Sequence, residues 1–366
     1  MKVMKVRLKE KSYNIVVGNN IVRFFVDYLR KVNIGRHAII VTTPVINRLW
    51  GKKLLGLLQR GGFNVRVEEV ADTEKSKSTS TCLALLNRIA NYGKSKKVFI
   101  IAFGGGVVGD LAGFAAAIYK RGVPYIQLPT TLISQVDSSI GGKVAIDLKV
   151  GKNLIGAFYQ PRLVFSETTF LKTLPDKEIK NGFSEIIKYG IIKDKKFFKF
   201  LEDNVEKVLM LDKKVIQFVL ERASQIKANV VQKDEFDKLS VRAILNYGHT
   251  IGHAIETASG YSKRYTHGMA ISIGMIAANF ISQRMGIISK SECSRIEDLL
   301  KRAGLPVRAK GIAPSKVYEA HLYDKKFTHG TNRFVLPVSI GRVKIVEGVS
   351  EALIKGAIQS VCRGGE

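Results

Sequence analysis

An open α/β sheet domain followed by a mainly all-α domain is the fold this sequence predicts, on three observations. Strand and helix patterns alternate through the first half of the chain. After about Leu171 the strand pattern gives way to long amphipathic helical stretches. At 366 residues the chain also exceeds what one hydrophobic core usually serves. The change of pattern lies between Pro161 and Leu174, so we divide the chain into residues 1–168 and 169–366.

Taken in order, the N-terminal run Met-Lys-Val-Met-Lys-Val-Arg-Leu-Lys alternates like a charged strand and lacks the apolar core of a signal peptide. Ala38 to Thr42 is expected as a buried strand, followed by a helix near Val45 to Gln59. A strand at Asn64 to Val70 precedes a helix near Ser80 to Asn91, whose Ser/Thr cluster supplies caps. Val98 to Phe103 is almost continuously apolar, as in a parallel strand covered on both faces. It enters a glycine turn and a small-residue helix from Leu111 to Tyr119, then a strand from Tyr125 to Leu128. This βαβ rhythm puts ligands beyond the strand C-termini. The second half is expected to form helices at 175–188, 195–209, 213–231, 245–257, 268–285 and 290–303. Extended segments are expected only near 333–338 and 343–346.

Composition narrows the function classes. A hydrophobic fraction of 46% fits a soluble globular protein, and the longest apolar stretch is too short and too interrupted to span a membrane. Three distant cysteines without paired spacing argue against a disulfide framework or a thiolate metal site, which fits a reducing cytoplasm. The 59 basic and 31 acidic residues leave a net charge of +28. Basic residues are dispersed, with neither a basic tail nor an aromatic-basic motif. The charge therefore suits an anionic small molecule better than specific nucleic-acid binding.

Gly104-Gly105-Gly106-Val107-Val108-Gly109-Asp110 stands between a buried strand and a helix start, where bare backbone amides can approach a pyrophosphate. The spacing is not that of the common dinucleotide fingerprint. A tight turn packed by Gly113 is the plainer alternative. Further on, Gln135 to Lys143 reads as a polar, glycine-bearing loop, with Gly151-Lys152-Asn153 close behind. Asp137, Lys143, Lys152 and Asn153 suit phosphate and hydroxyl groups, and Arg121 offers a fork for an anion.

Three of the six histidines fall within nineteen residues: His249, His253 and His267. His249 and His253 are one helical turn apart on one face, as in metal-binding HxxxH helices. Glu185, among apolar neighbours, is a candidate oxygen ligand, and Lys188 shares its helix face. Arg242 and Asn246 stand one turn apart just ahead of the cluster. Spacing leaves open whether His253 or His267 is the further ligand.

Several motifs in fixed order carry a resemblance: GGGVVGDLAGF from Gly104, LPTTLISQVDSSIGGK from Leu128, GKNLIGAFYQP from Gly151, KTLP from Lys172, SEIIKYGII from Ser184, LNYGHTIGHAIE from Leu245, His267-Gly268 and Asp324-Lys325-Lys326. Over nearly its whole length the chain resembles the 3-dehydroquinate synthase family of sugar-phosphate cyclases. The resemblance implies a Rossmann-like NAD-binding domain and a helical domain that holds zinc, with cobalt as an alternative. It implies Glu185, His249 and His267 as metal ligands, and leaves His253 to substrate contact and proton transfer. NAD contacts are implied at Glu74, Lys77, Gly105, Gly106, Val107, Val108, Gly109, Asp110, Thr130, Thr131, Lys143 and Lys152, with Phe170, Thr173 and Leu174 near the nucleotide. Substrate contacts are implied at Arg121, Asp137, Lys143, Asn153, Lys188, Arg242, Asn246 and one lysine of the 325–326 pair, taken as Lys326. The implied reaction turns 3-deoxy-D-arabino-heptulosonate 7-phosphate into 3-dehydroquinate and phosphate, through transient oxidation, elimination, reduction and an aldol closure. A cytoplasmic homodimer is the implied state.

Two positions depart from the family pattern. Met269 stands where an acidic residue usually follows the third histidine and glycine, and Thr43 where an asparagine or aspartate usually faces the cofactor. The rival readings are a sister cyclase with altered substrate contacts, a metal-dependent glycerol-type dehydrogenase, and a nucleic-acid binder. Joint retention of Arg121, Lys143, Asn153, Lys188, Arg242, Asn246 and His253 favours dehydroquinate synthase chemistry.

Overall fold

In a computed structural model, residues 1–148, 150–262, 264–323 and 331–362 are described. Lys326 lies outside them. The chain forms two compact units, one of residues 1–174 with 227–236, the other of residues 175–226 with 237–366.

Unit 1 is built on a seven-stranded sheet in the order β1-β2-β9-β6-β5-β3-β4. β1 (Lys2–Val6) and β2 (Tyr13–Gly18) form an antiparallel hairpin. α1 (Phe25–Val32) leads to β3 (His37–Thr42), then α2 (Pro44–Ile46), a π-type turn and α3 (Lys52–Arg60). β4 (Asn64–Glu69), α4 (Thr79–Gly93), β5 (Val98–Gly104), α5 (Gly106–Ile118) and β6 (Tyr125–Pro129) follow. β7 (Lys143–Leu148) and β8 (Gly151–Phe158) make a separate antiparallel hairpin before β9 (Leu163–Glu167). From β2 to β4 every pairing in the main sheet is parallel.

Both faces of that sheet are buried, and β5 shows how. Phe99, Ile101 and Phe103 face the cluster under α1 and α3, with Phe25, Leu29, Leu54 and Leu58. Val98, Ile100 and Ala102 face the cluster under α4 and α5, with Leu85, Ile89, Leu111 and Ala112. A two-residue period therefore shows no polar face, which is why the strand reads as continuously apolar.

One expectation is corrected here, and one strand appears that was not expected. The segment taken for a polar loop is a π-type turn, Ser134–Ser138, followed by the β7–β8 hairpin, so Lys143, Lys152 and Asn153 stand on paired strands. Residues 163–167, for which no strand was expected, form β9 inside the sheet between β2 and β6, within residues 1–168. The buried Glu167 carboxylate closes that region, accepting hydrogen bonds from the amides of Asn20, Ile21, Val22 and Thr169.

Unit 2 contains α6 (Asp176–Lys193), α7 (Lys195–Leu209), α8 (Lys213–Lys233), α9 (His249–Ala258), α10 (His267–Arg284), α11 (Lys290–Arg302), α12 (Pro314–Leu322) and α13 (Glu351–Cys362). The last turns of α8 are counted with unit 1. β10 (Arg333–Ser339) and β11 (Arg342–Glu347) pair antiparallel. The helix expected from Leu245 is broken. A 3-10 turn, Val241–Asn246, ends before Gly248, which takes φ 80° and opens α9. Among the described residues no helix is long and apolar enough to cross a membrane.

α9 and α10 cross at backbone contact. A Cβ on Gly274 would lie 1.9 Å from the Gly248 carbonyl oxygen, and one on Gly252 would lie 2.7 Å from Ile271 Cδ1. Gly274→Ala is therefore expected to cost about 1–3 kcal/mol of unfolding free energy, because backbone must shift to admit the methyl. Gly286→Ala serves as a comparison, since its Cβ would meet no neighbour within 4 Å and it carries only backbone strain at φ 68°. Denaturant unfolding of both variants checks this; equal stabilities would contradict the close crossing.

Candidate active site

The glycine turn of unit 1 lies where the sheet changes direction. β3 connects onward to β4 on one side, whereas β5 connects through α5 to β6 on the other. Chain leaves adjacent strands β3 and β5 in opposite directions, which opens a crevice beyond their C-termini. Gly104 ends β5, Gly105 caps α5 without a side chain, and Gly106 starts the helix. Gly104 and Gly113 are also packing glycines, with hypothetical Cβ atoms 2.7 Å from Val108 Cγ2 and 2.4 Å from Val144 Cγ1. Gly105 and Gly106 are less confined, facing the Thr131 and Ser138 side chains at 3.1 and 3.3 Å. The buried hydroxyls of Thr42 and Thr130, at the ends of flanking strands β3 and β6, have no hydrogen-bond partner in the structure. Buried hydroxyls without partners are uncommon, and here two flank the glycine turn at the start of α5.

Lys77 is the hub of a second cluster in this unit. Its ammonium donates to Asp110 Oδ2 at 2.8 Å and Asn153 Oδ1 at 2.6 Å, with Glu74 and Asp147 carboxylates at 3.9 and 4.0 Å. Burial opposes its charge, but Asp110 and Glu74 outweigh that cost and hold Lys77 above the usual lysine pKa. Lys152 reaches Glu74 at 3.5 Å, and Asn153, at φ 55°, donates its amide to Asp147. Glu74, Lys77, Asp110, Lys152 and Asn153 are thus brought together, with strands β7 and β8 supplying the last two and Asp147.

Other candidates have different placements. Phe170 is core, stacked edge-on against Phe103 and Trp50, while Thr173 accepts from the Trp50 indole. Leu174 ends the same 3-10 segment. Thr43 caps α2 through its hydroxyl. Arg121 is exposed, beyond the far end of α5 and before β6, at the opposite end of the strands from the glycine turn. The structure therefore separates Arg121 from Gly105 and Asp110 within this unit. Asp137 is engaged by Lys227, which also donates to the Asp137 carbonyl at 2.8 Å. Lys227 was missed in the sequence; the only signal was a lysine within a helix whose neighbours Ile226 and Ala228 are buried.

In unit 2, α6 supplies Glu185 and Lys188, both fully buried and ion-paired one turn apart. α9 supplies His249 and His253, and α10 begins at His267. His267 is fixed by its neighbour: the Gly268 amide donates to Asn181 Oδ1, and a Cβ there would lie 2.1 Å from the Asn181 carbonyl. Asn181 is one turn before Glu185 on α6, so α10 starts beside the buried carboxylate.

The three imidazoles are neighbours, with ring centroids 5.3 to 6.0 Å apart. Nε2 of His249 and Nε2 of His267 each stand 3.5 Å from Glu185 Oε1. Ligands around a tetrahedral zinc at about 2.0–2.2 Å are themselves roughly 3.3–3.6 Å apart; both separations from Glu185 match that, and all three donors lie within 4.8 Å of one another. His249 Nδ1 donates to the Tyr247 carbonyl at 3.1 Å, and His267 Nδ1 lies 3.2 Å from Glu256 Oε2. Burial disfavours the charged His267 ring, but hydrogen bonds to Glu185 and Glu256 overcome it and push its pKa up to about 10. A second group, His253, Glu256 and His267, also has donors within 4.8 Å of one another. The choice between His253 and His267 left open by spacing thus becomes two overlapping sets that share His267. Arg242, buried, and Asn246 lie on the 3-10 turn before Gly248. Met269 is half-buried in the first turn of α10.

Two family descriptions match consecutive stretches of the chain: 3-dehydroquinate synthase N-terminal over residues 67–181 and 3-dehydroquinate synthase C-terminal over residues 182–327. The 3-dehydroquinate synthase of Thermodesulfovibrio yellowstonii is 44% identical over 346 residues, 94% of this chain and 96% of that protein. The chain belongs to the 3-dehydroquinate synthase family. Its fold is shared with a 2-deoxy-scyllo-inosose synthase solved with carbaglucose-6-phosphate, NAD+ and Co2+, at TM-score 0.88 and 26% identity, covering 98% of this chain and 100% of that one. It is likewise similar to the 2-epi-5-epi-valiolone synthase of Streptomyces hygroscopicus subsp. jinggangensis, solved with NAD+ and Zn2+, at TM-score 0.87 and 26% identity, covering 99% of each chain.

The Lys77 cluster generates a prediction for this family member. Lys77→Met strands the Asp110 carboxylate without its cation and is expected to cost about 3 kcal/mol at pH 7, as for a broken buried pair. Denaturant unfolding measures this. A loss below about 0.5 kcal/mol, the range of an exposed pair, would contradict the assigned role.

Proposed function

We propose that this chain is a 3-dehydroquinate synthase, converting 3-deoxy-D-arabino-heptulosonate 7-phosphate to 3-dehydroquinate and phosphate. The observation that carries the reading is the convergence of Glu185, His249 and His267 beside the Lys188 ammonium, in a chain matched over 94% of its length by a relative of that name. The donor set suits zinc or cobalt, and the glycine turn with the Thr42 and Thr130 hydroxyls suits NAD. When bound, the metal supplies Lewis acidity and the nicotinamide a reversible hydride acceptor.

The chain's own residues then bind, orient and move protons. Glu185, His249 and His267 hold the metal. Lys188, locked by Glu185 in an apolar helix, offers a fixed positive charge to an anionic substrate. His253 is half-buried and outside the Glu185 set, which suits a residue that exchanges protons with substrate. Arg242 and Asn246 take the carboxylate side, with Lys326 in the same role. In unit 1, Gly105 to Gly109 present backbone amides to the pyrophosphate, while Lys77 and Asp110 brace the turn through Asn153. Glu74, Thr130, Thr131 and Lys152 line the nucleotide; Phe170, Thr173 and Leu174 pack behind it. Lys143 and Asp137 serve the sugar phosphate, together with Arg121 and Lys227. The enzyme is read as a cytoplasmic homodimer, a compartment consistent with three free cysteines.

The test is a turnover assay with the heptulosonate phosphate, sub-stoichiometric NAD+ and zinc. Phosphate and 3-dehydroquinate should appear in equal amounts, with many turnovers per NAD+ and loss of activity on chelation. Phosphate release from a hexose 6-phosphate but none from the heptulosonate would move the chain to a sister cyclase. Accumulating NADH on glycerol, without phosphate release, would contradict cyclase chemistry altogether.

A further inference from the structure

We propose that Glu256 is the positioning residue for His267, holding the ring so that Nε2 faces Glu185 and the metal. The inference rests on the reading of Glu185, His249 and His267 as the ligand set.

Glu256 is on α9, seven residues after His249 and three after His253, and is only 7% exposed. Its Oε2 stands 3.2 Å from His267 Nδ1, on the opposite side of the ring from the 3.5 Å contact between Nε2 and Glu185 Oε1. Both carboxylates only accept, and the nearer one is Glu256 at 3.2 Å, so a neutral His267 carries its proton on Nδ1 and leaves the Nε2 lone pair for a metal held with Glu185. Without that partner the ring is free to take the other tautomer or turn away.

His249 and His267 differ in how much anchoring they need. The His249 side chain is 10% exposed and its Nδ1 is fixed by the neighbouring Tyr247 carbonyl. The His267 side chain is 32% exposed and belongs to the first residue of a helix, where packing holds it least. The positive end of the α10 dipole also disfavours a cation there, and a carboxylate behind the ring offsets that. An anionic hydrogen-bond partner further strengthens the ring as a donor, more than a peptide carbonyl does. His249 is thus fixed by backbone just before α9, whereas α9 itself carries, two turns after His249, the group that fixes His267.

The competing arrangement uses His253, Glu256 and His267 as ligands themselves, with His267 binding through Nδ1. It would make Glu256 a ligand and would leave Glu185 dispensable for the metal.

Metal-stripped wild type is first titrated with Zn2+ against a chromophoric chelator, followed by Glu256→Gln, Glu256→Asp, Glu185→Ala and His253→Ala. One zinc per chain is expected in wild type, His253→Ala and Glu256→Gln, and none in Glu185→Ala. The dissociation constant of Glu256→Gln should rise about 10- to 100-fold, the usual cost of replacing the group behind a ligating histidine, because the amide lacks the carboxylate's charge. The Co2+ visible spectrum should shift in the same variant, because the donor strength of His267 changes; a merely structural loss would leave that spectrum alone. Should Glu256→Gln fail to fold, Glu256→Asp, with its carboxylate withdrawn by one methylene, is expected to bind more weakly than wild type. Affinity within about threefold of wild type and an unshifted Co2+ spectrum would overturn the proposal while leaving the ligand set standing. Zinc lost in His253→Ala but kept in Glu185→Ala would overturn it in favour of the competing arrangement. Absence of zinc from wild type would remove the ligand reading, and this inference with it.

Discussion

A carboxylate with no exposure to water governs the helical unit. Glu185 is buried on all sides, and an anion in that position is tolerated only if positive charge or proton donors meet it there. Lys188 meets it from the same helix, and two imidazoles meet it from α9 and α10. Those helices must then approach closely, and the sequence allows it by omitting side chains at Gly248, Gly252, Gly268 and Gly274, where any Cβ would collide with backbone or packed side chain. The glycines of the His-rich motif are thus as necessary to the site as its histidines. The resulting site has a donor set matched to a small divalent ion, hydrogen-bonded from behind and flanked by one fixed ammonium.

Unit 1 answers a different constraint. A parallel sheet covered on both faces leaves the ends of its strands for chemistry, and the reversal between β3 and β5 opens a crevice at their C-terminal ends. At those ends the chain again omits side chains, at Gly105 and Gly106, which leaves the backbone bare where α5 begins. The Lys77 cluster ties this turn to the β7–β8 hairpin through Asp110, Asn153 and Asp147. One buried lysine therefore couples the helix behind the turn to a hairpin outside the main sheet.

Much of this was legible in the sequence where local pattern coincides with tertiary role. The strand at 98–104, the helices of the second half and the histidine cluster are of this kind, because periodicity and rare residues record burial and chemistry directly. The β7–β8 hairpin was not legible: its glycines and charges read as a loop, and its pairing is decided by contact with α4 and α5. β9 is a five-residue stretch whose strand character depends on β2 and β6 lying either side of it. Glu256 and Lys227 look like ordinary helix residues, since the partners that define them are 11 and 90 positions away. The end of the strands at which Arg121 falls likewise follows from topology, which its motif does not encode.

The central claim, that α6, α9 and α10 converge to build one metal-binding catalytic centre, is tested most directly by anomalous X-ray diffraction from crystals grown with zinc. The account predicts one strong peak per chain, about 2.0–2.2 Å from a Glu185 oxygen and from Nε2 of both His249 and His267. A peak held by His253, Glu256 and Nδ1 of His267, or none in this cluster, would contradict it.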